Sequence, residues 1–295
     1  MKLRKTVMIL VLACSVLWFI IWNNQSMAIS QQQMKQFMTV VDEASIGKVQ
    51  VNWKNVAAIA AVRHDGSLAD VSDAEINEMA NLFIEKRQEQ YTLRTMDEVA
   101  GELAFNRKQE KELKQYSDYF TNEVVYSHKA EQELNKNFIA SIEESAIANY
   151  KEYGVLPSIT ISQAILESDW GRSQLAADYN NLFGIKDHRK WDGKTASLQT
   201  TENYNDRIQA NFRAYDSVSE SISDHGLFLA ENPRYAKNGL FTARTYIEQA
   251  KALENAGYST AIDENGNKTY SKILIALIRQ YELQLIDSAV CEQNA

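Results

Sequence analysis

Proline is almost absent from this chain. Two prolines, Pro157 and Pro233, and 11 glycines in 295 residues amount to under about 1% and about 4%, against typical usage of roughly 5% and 7%. Sandwiches, propellers and collagen-like folds need turn residues far more often than that, so the chain is predicted to be built of long helices. Apolar residues at 45% and charged residues at 24% exclude wholesale disorder, and at roughly 150 residues per domain the length predicts two domains. The two cysteines, Cys14 and Cys291, are too few for a disulfide scaffold or a cysteine-rich zinc module. The formal charge is −8; the first 28 residues hold three basic and no acidic groups, so the remainder carries 28 − 39 = −11. That sign argues against a nucleic-acid partner held by bulk electrostatics.

The N-terminus reads as an export segment. Lys2, Arg4 and Lys5 precede an apolar run over residues 7–22 that only Ser15 breaks. Sixteen helical residues span about 24 Å, slightly short of the roughly 30 Å hydrocarbon core. Ser26 and Ala28 offer a signal-peptidase site after residue 28, whereas Trp18 and Trp22 would anchor a retained helix at the interface. Cleaved signal peptide and membrane anchor both stand, and either puts the body of the protein outside the cytoplasm.

Residues 29–140 predict an all-α module. Ser72 and Glu75 form a capping-box pattern ahead of an apolar stripe of Ile76, Met79, Ala80, Phe83 and Ile84. Thr95 and Glu98 form a second, followed by Val99 and Leu103. A further stripe runs through Leu113, Tyr116, Tyr119, Phe120 and Val124. His64 and His128 have no metal-ligand spacing to a partner, and no reactive constellation is visible, so a positioning or docking role is expected for this independently folded module. A second domain is expected from about residue 141 to 295.

In that second domain Gly154 is placed to end one helix and Pro157 to begin the next. The new helix carries Glu167 near its C-terminal end, where the macrodipole and the apolar neighbours Ile165, Leu166 and Trp170 both disfavour the charged form. A carboxyl pushed upward in pKa suits a proton donor near neutral pH; a solvent-facing helix glutamate is the competing reading. Asn180 and Asn181 read as a turn that can present amides to a polar ligand, with Phe183 beside it as an apolar contact or simple core. Residues 195–203 and 207–215 alternate as two strands around a polar turn, making one wall of a cleft with Glu202 near the hairpin tip. No HExxH, GxSxG, Walker or Rossmann pattern occurs. His188 and His225 are isolated, and residues 263–267 place their glycine too early for an EF-hand, so neither metal nor cofactor is expected.

The strings LPSITISQAILESDWGRSQLA, YNNLFGIK, LQTTEN, FRAYDSVSESISDHGLFL, NPRYA and ENAGYST, in this order over about residues 151–285, resemble the bacterial endo-β-N-acetylglucosaminidase family of cell-wall hydrolases. The resemblance implies a lysozyme-like α+β fold, a helical lobe plus a small β-hairpin lobe around a glycan groove. It implies Glu167 as general acid, Glu202 as a second acidic residue acting as base or nucleophile, and Tyr258 lining the site. Trp170, Asn180, Asn181, Phe183 and Tyr215 are then candidate sugar contacts, although Tyr215 also suits a structural role anchoring the hairpin. The segment DENGNKTY over residues 263–270 departs from the family pattern, being longer and without its proline, and this leaves the role of Tyr270 open. The implied partner is the peptidoglycan glycan strand, and the membrane if the N-terminal segment is uncleaved. A lysozyme-type muramidase and a non-catalytic wall-binding or envelope-assembly protein are the alternatives.

Overall fold

The computed structural model describes residues 29–124, 132–187, 191–202 and 206–293. The export segment, His128 and His188 lie outside the described residues; among these, no helix is long and apolar enough to cross a membrane.

The N-terminal half begins with α1 (Gln31–Ser45), α2 (Trp53–Arg63) and α3 (Asp73–Leu82). After a short hairpin, β1 (Ile84–Arg87) and β2 (Gln90–Leu93), come α4 (Met96–Glu102) and α5 (Arg107–Asn122). Both expected capping boxes form: Ser72 Oγ accepts from Glu75 N and Glu75 Oε2 from Ser72 N, and Thr95 and Glu98 repeat the pattern. Helix α2 is apolar on every side and lies at the centre, with residues 56–61 fully buried.

The hairpin corrects the all-α expectation. Ile84 does not extend the α3 stripe but starts β1, antiparallel to β2, opposite the buried Leu93. Its turn carries Gln88 at φ 56° with none of the Asn-Gly or Asp-Gly signals that announce such a turn. Anchoring of the strand ends to the core, not turn chemistry, holds this hairpin.

In the C-terminal half α6 (Gln132–Tyr153) runs unbroken through residue 140, so the boundary placed there falls inside a helix. Gly154, at φ 76°, ends it. Helix α7 (Pro157–Ser168) is the hub: residues 158–164 are fully buried, whether polar or apolar. After α8 (Gln174–Tyr179) the chain makes β3 (Thr195–Glu202) and β4 (Asp206–Arg213), antiparallel, with Ala196 opposite Phe212. Then follow α9 (Val218–Glu231), α10 (Pro233–Lys237), α11 (Tyr246–Asn255), α12 (Tyr270–Gln280) and α13 (Gln284–Gln293). Helices α6, α11, α12 and α13 surround α7.

Each half has its own apolar core, and a buried polar seam joins them. Asp42 of α1 accepts from Tyr246 Oη at 2.5 Å and from Arg279 Nη2 at 2.9 Å. Helix α13 serves both cores, turning Leu285 and Cys291 to the first and Ile286 to the second, where Leu283 just before the helix is buried as well.

Candidate active site

Helix α7 delivers Glu167 to the surface at its last turn and then stops. Asp169, Trp170 and Gly171 take φ of 50°, 60° and 74° in succession, a left-handed run that no α-helix can continue. Ser168 closes the end, donating from Oγ to Ala164 O and accepting from Gly171 N at 2.7 Å. Asp169 turns away and pairs with Arg172.

Glu167 stands in a cleft of about 460 Å³ whose walls include Phe183, Lys186, Phe228, Arg234, Tyr235 and Tyr258, within the size range of small-ligand sites. Glu167 is exposed at the cleft mouth, and the surrounding walls keep part of the bulk solvent from its carboxylate. That desolvation raises its pKa, against the lowering effect of a hydrogen bond from Tyr270. Tyr270 Oη donates to Glu167 Oε1 at 2.9 Å, and Gln163 Nε2, one turn before Glu167 on α7, donates to Tyr270 Oη at 2.9 Å.

The tyrosines form a stacked wall. Tyr258 lies on Tyr270 with ring centroids 5.3 Å apart, and its hydroxyl is 3.3 Å from His225 Nε2. His225 in turn stacks on Phe183 at 3.8 Å. Burial pushes the His225 pKa down to about 3, so the imidazole is neutral at working pH. Burial also raises Tyr258 and Tyr270 well above the ordinary phenol range, the charge on Glu167 adding to it, and both are neutral phenols. Arg234 is spent on its neighbours, donating to Tyr235 Oη at 2.6 Å and lying over that ring. A cavity of about 590 Å³ between the two halves is larger, but no carboxylate lines it. The Glu167 cleft combines an acid of raised pKa with a fixed hydrogen-bond donor.

Residues 143–283 match the glucosaminidase family model, described as mannosyl-glycoprotein endo-beta-N-acetylglucosaminidase. The C-terminal half of the chain belongs to the glucosaminidase family. It is 39% identical over 156 residues to exo-glucosaminidase LytG of Bacillus subtilis, covering 51% of this chain and 52% of that protein. It is 36% identical over 153 residues to peptidoglycan hydrolase FlgJ of Salmonella typhimurium, covering 50% and 46%. The chain thus spans about half the length of the curated relatives it matches. Among solved structures, the catalytic domain of the autolysin Auto from Listeria monocytogenes is 31% identical, with 62% of this chain and 98% of that one covered at a TM-score of 0.46.

Within the glucosaminidase domain the expected residues part company. Glu167, Phe183 and Tyr258 line one cleft. Trp170 does not line it but packs edge-on between Phe138 and Tyr281. Asn181 is buried and its amide is consumed by the chain: Nδ2 donates to Ile185 O and Arg213 O, and Oδ1 accepts from the Phe183 and Ile185 amides. It braces the loop to β4 and has nothing left for a sugar. Asn180 caps α8 at φ 55° and donates to Tyr215 O. Tyr215 is buried and donates to Asp224 Oδ2 at 2.6 Å, beside the Arg213–Asp224 ion pair, which makes it the hairpin anchor. Asn181 is corrected from a sugar contact to a structural position, because its amide is consumed inside the fold; Trp170, Asn180 and Tyr215 do not line the Glu167 cleft. Glu202 closes β3 opposite Asp206, and its side chain lies outside the described residues.

Two neighbours of Glu167 were not among the expected site residues. Tyr270 enters because the 263–267 departure folds into a tight turn, with the Asn265 and Asn267 amides donating to Asp263 Oδ1 and Gly266 at φ 79°, and returns the chain to the cleft. Gln163 was legible in principle, since four residues separate it from Glu167 on one helical face.

Proposed function

We propose that the protein is an exported peptidoglycan hydrolase that cleaves the β-1,4 bond after N-acetylglucosamine, with Glu167 as general acid. The observation that carries this reading is a desolvated carboxyl with a raised pKa, held by one phenol and opening into a cleft of glycan size. Glycoside hydrolysis needs such an acid to protonate the leaving oxygen as an oxocarbenium-like centre develops. Tyr258 and Phe228, both half-buried, supply flat apolar faces for sugar rings, and Lys186 stands at the rim. The lysozyme-like two-lobed arrangement is supported by the helical hub α7 on one side and the β3–β4 hairpin on the other. Glu202, at the hairpin tip, is assigned as the second carboxylate, activating water or stabilising the glycosyl cation. The basic, apolar N-terminal segment supports delivery outside the cytoplasm, where the substrate lies.

Digestion of purified sacculi by the protein from residue 29 onward tests the reading. Muropeptides with reducing-end N-acetylglucosamine are expected. Reducing-end muramic acid would establish a muramidase instead, and no release at any pH would leave a non-catalytic wall-binding protein. Chain-length analysis of the early products separates internal from terminal cleavage.

A further inference from the structure

Gln163 is completely buried, yet only one end of its amide is satisfied. Its Nε2 donates to Tyr270 Oη, whereas its Oε1 has no hydrogen-bond partner among the described residues. Buried polar atoms are rarely left so. An apolar residue of similar length would fill the same space on α7 without that penalty, so the donor end is what the position serves.

A phenol has one proton and can accept at the same time. Because the Gln163 amide donates to Tyr270 Oη, that hydroxyl must send its own proton elsewhere, and Glu167 Oε1 receives it at 2.9 Å. Tyr270 is itself buried and stacked on Tyr258, so the ring does not swing away. We propose that Gln163 is a positioning residue for the acid: it commits the Tyr270 proton to Glu167 Oε1, so that Glu167 carries its own proton on Oε2, the oxygen left for the glycosidic bond. This rests on the reading of Glu167 as general acid. In the reaction the Oε2 proton passes to the glycosidic oxygen, the sugar C–O bond breaks with its electron pair staying on that oxygen, and Glu167 is left as carboxylate. The hydrogen bond from Tyr270 is already aimed at the charge that develops.

Without the Gln163 donor, Tyr270 can rotate its proton away and accept from Oε1, and the acid's proton is then held on the wrong oxygen. The other polar side chains lining the cleft are Tyr258, whose hydroxyl meets the neutral His225, Tyr235 and Arg234 on α10, Lys186 before β3, and Ser259 and Thr260 after Tyr258. None of them is within hydrogen-bond distance of Tyr270 Oη in place of Gln163.

The test is Gln163→Met in the protein from residue 29 onward, assayed on a soluble glycan across pH. The turnover number should fall about tenfold, a small share of the 10²–10⁴ that general acid catalysis supplies, with KM nearly unchanged. The alkaline limb of the profile should move to higher pH, because a less polarised Tyr270 stabilises the Glu167 carboxylate less. The melting temperature should hold or rise, since the orphaned Oε1 is removed. In a Tyr270→Phe background Gln163→Met should add nothing. Should Gln163→Met not fold, Gln163→Glu replaces the donor by an acceptor at equal length and should move the limb in the same direction. An unmoved limb with full turnover, or losses that add to those of Tyr270→Phe, overturns the proposal. A wild-type protein inert on sacculi overturns instead the hydrolase reading beneath it.

Discussion

A carboxyl group protonates a leaving oxygen only while it holds a proton, so in the proposed role the environment of Glu167 sets the working pH. Desolvation raises its pKa and the single hydrogen bond from Tyr270 only partly opposes this. Activity should therefore fall as pH rises through that raised value, with an alkaline limb above the ordinary carboxylate range in a profile of kcat against pH. Glu167→Gln keeps the shape and the Tyr270 contact but has no acid proton. It should lose on the order of 10²–10⁴-fold in rate with an unchanged circular dichroism spectrum. Glu202→Gln should cost less and vary with substrate, because water or the substrate acetamido group can replace a hairpin carboxylate. Equal losses at the two positions, measured as muropeptide release, would promote Glu202 to an obligatory base or nucleophile.

Helix α7 owes its placement to its two ends. At the start no local side chain caps it; Asp287 on α13 accepts from Ser158 N at 2.9 Å and from Ser158 Oγ at 2.5 Å. Burial pushes the Asp287 pKa up to about 7 in spite of these two donors. A carboxyl whose pKa is higher in the folded than in the unfolded chain binds its proton more tightly when folded. Stability should thus decline as pH rises from about 4 to about 7 and be flat in this respect above that. Asp287→Asn should flatten the decline, read as melting temperature against pH. At the other end Gly171 has φ 74°, and a Cβ there would come 2.8 Å from the Phe138 ring. Gly171→Ala should cost roughly 1–2 kcal/mol from the left-handed backbone alone, more if Phe138 cannot yield. Denaturant unfolding measures it, and the turnover of the remaining folded enzyme reports whether Glu167 has moved.

Two apolar cores and one shared seam govern the molecule as a whole. Asp42 is almost completely buried, and its carboxylate oxygens meet Arg279, Tyr246 and the Gln50 amide. Asp42→Ala would leave the guanidinium and the phenol facing each other across an apolar gap. Roughly 3 kcal/mol is expected, the low end for breaking a buried pair, because Arg279 keeps some contact with water. A chain beginning at residue 141 would start inside α6 and uncover α13, Tyr246 and Arg279, so it should melt below the longer protein. The N-terminal half is in that sense part of the support for α11, α12 and α13. Calorimetry of the two chains decides the point; equal melting temperatures would return that half to a freely separable module.

The amino-acid sequence by itself determined the helical class, the capping boxes at Ser72 and Thr95, the hairpin after residue 195 and the place of the Glu167 carboxyl at the end of an apolar helix. Each of these is a local matter: a cap spans three residues, an amphipathic stripe repeats every three or four, and a carboxyl at the end of an apolar helix is read from its neighbours. Tertiary structure decided whatever depended on partners far along the chain. Tyr270 reaches Glu167 from 103 positions away because α12 packs on α7. Asn181 and Tyr215 carry polar atoms that composition cannot distinguish from sugar-binding ones, and their hydrogen bonds to β4 and α9 tie them into the fold. The small hairpin at Ile84 was hidden for a related reason. Its turn has no signal residue, and pairing with Leu93 at the edge of a core outweighs the helical spacing that the residue shares with its neighbours.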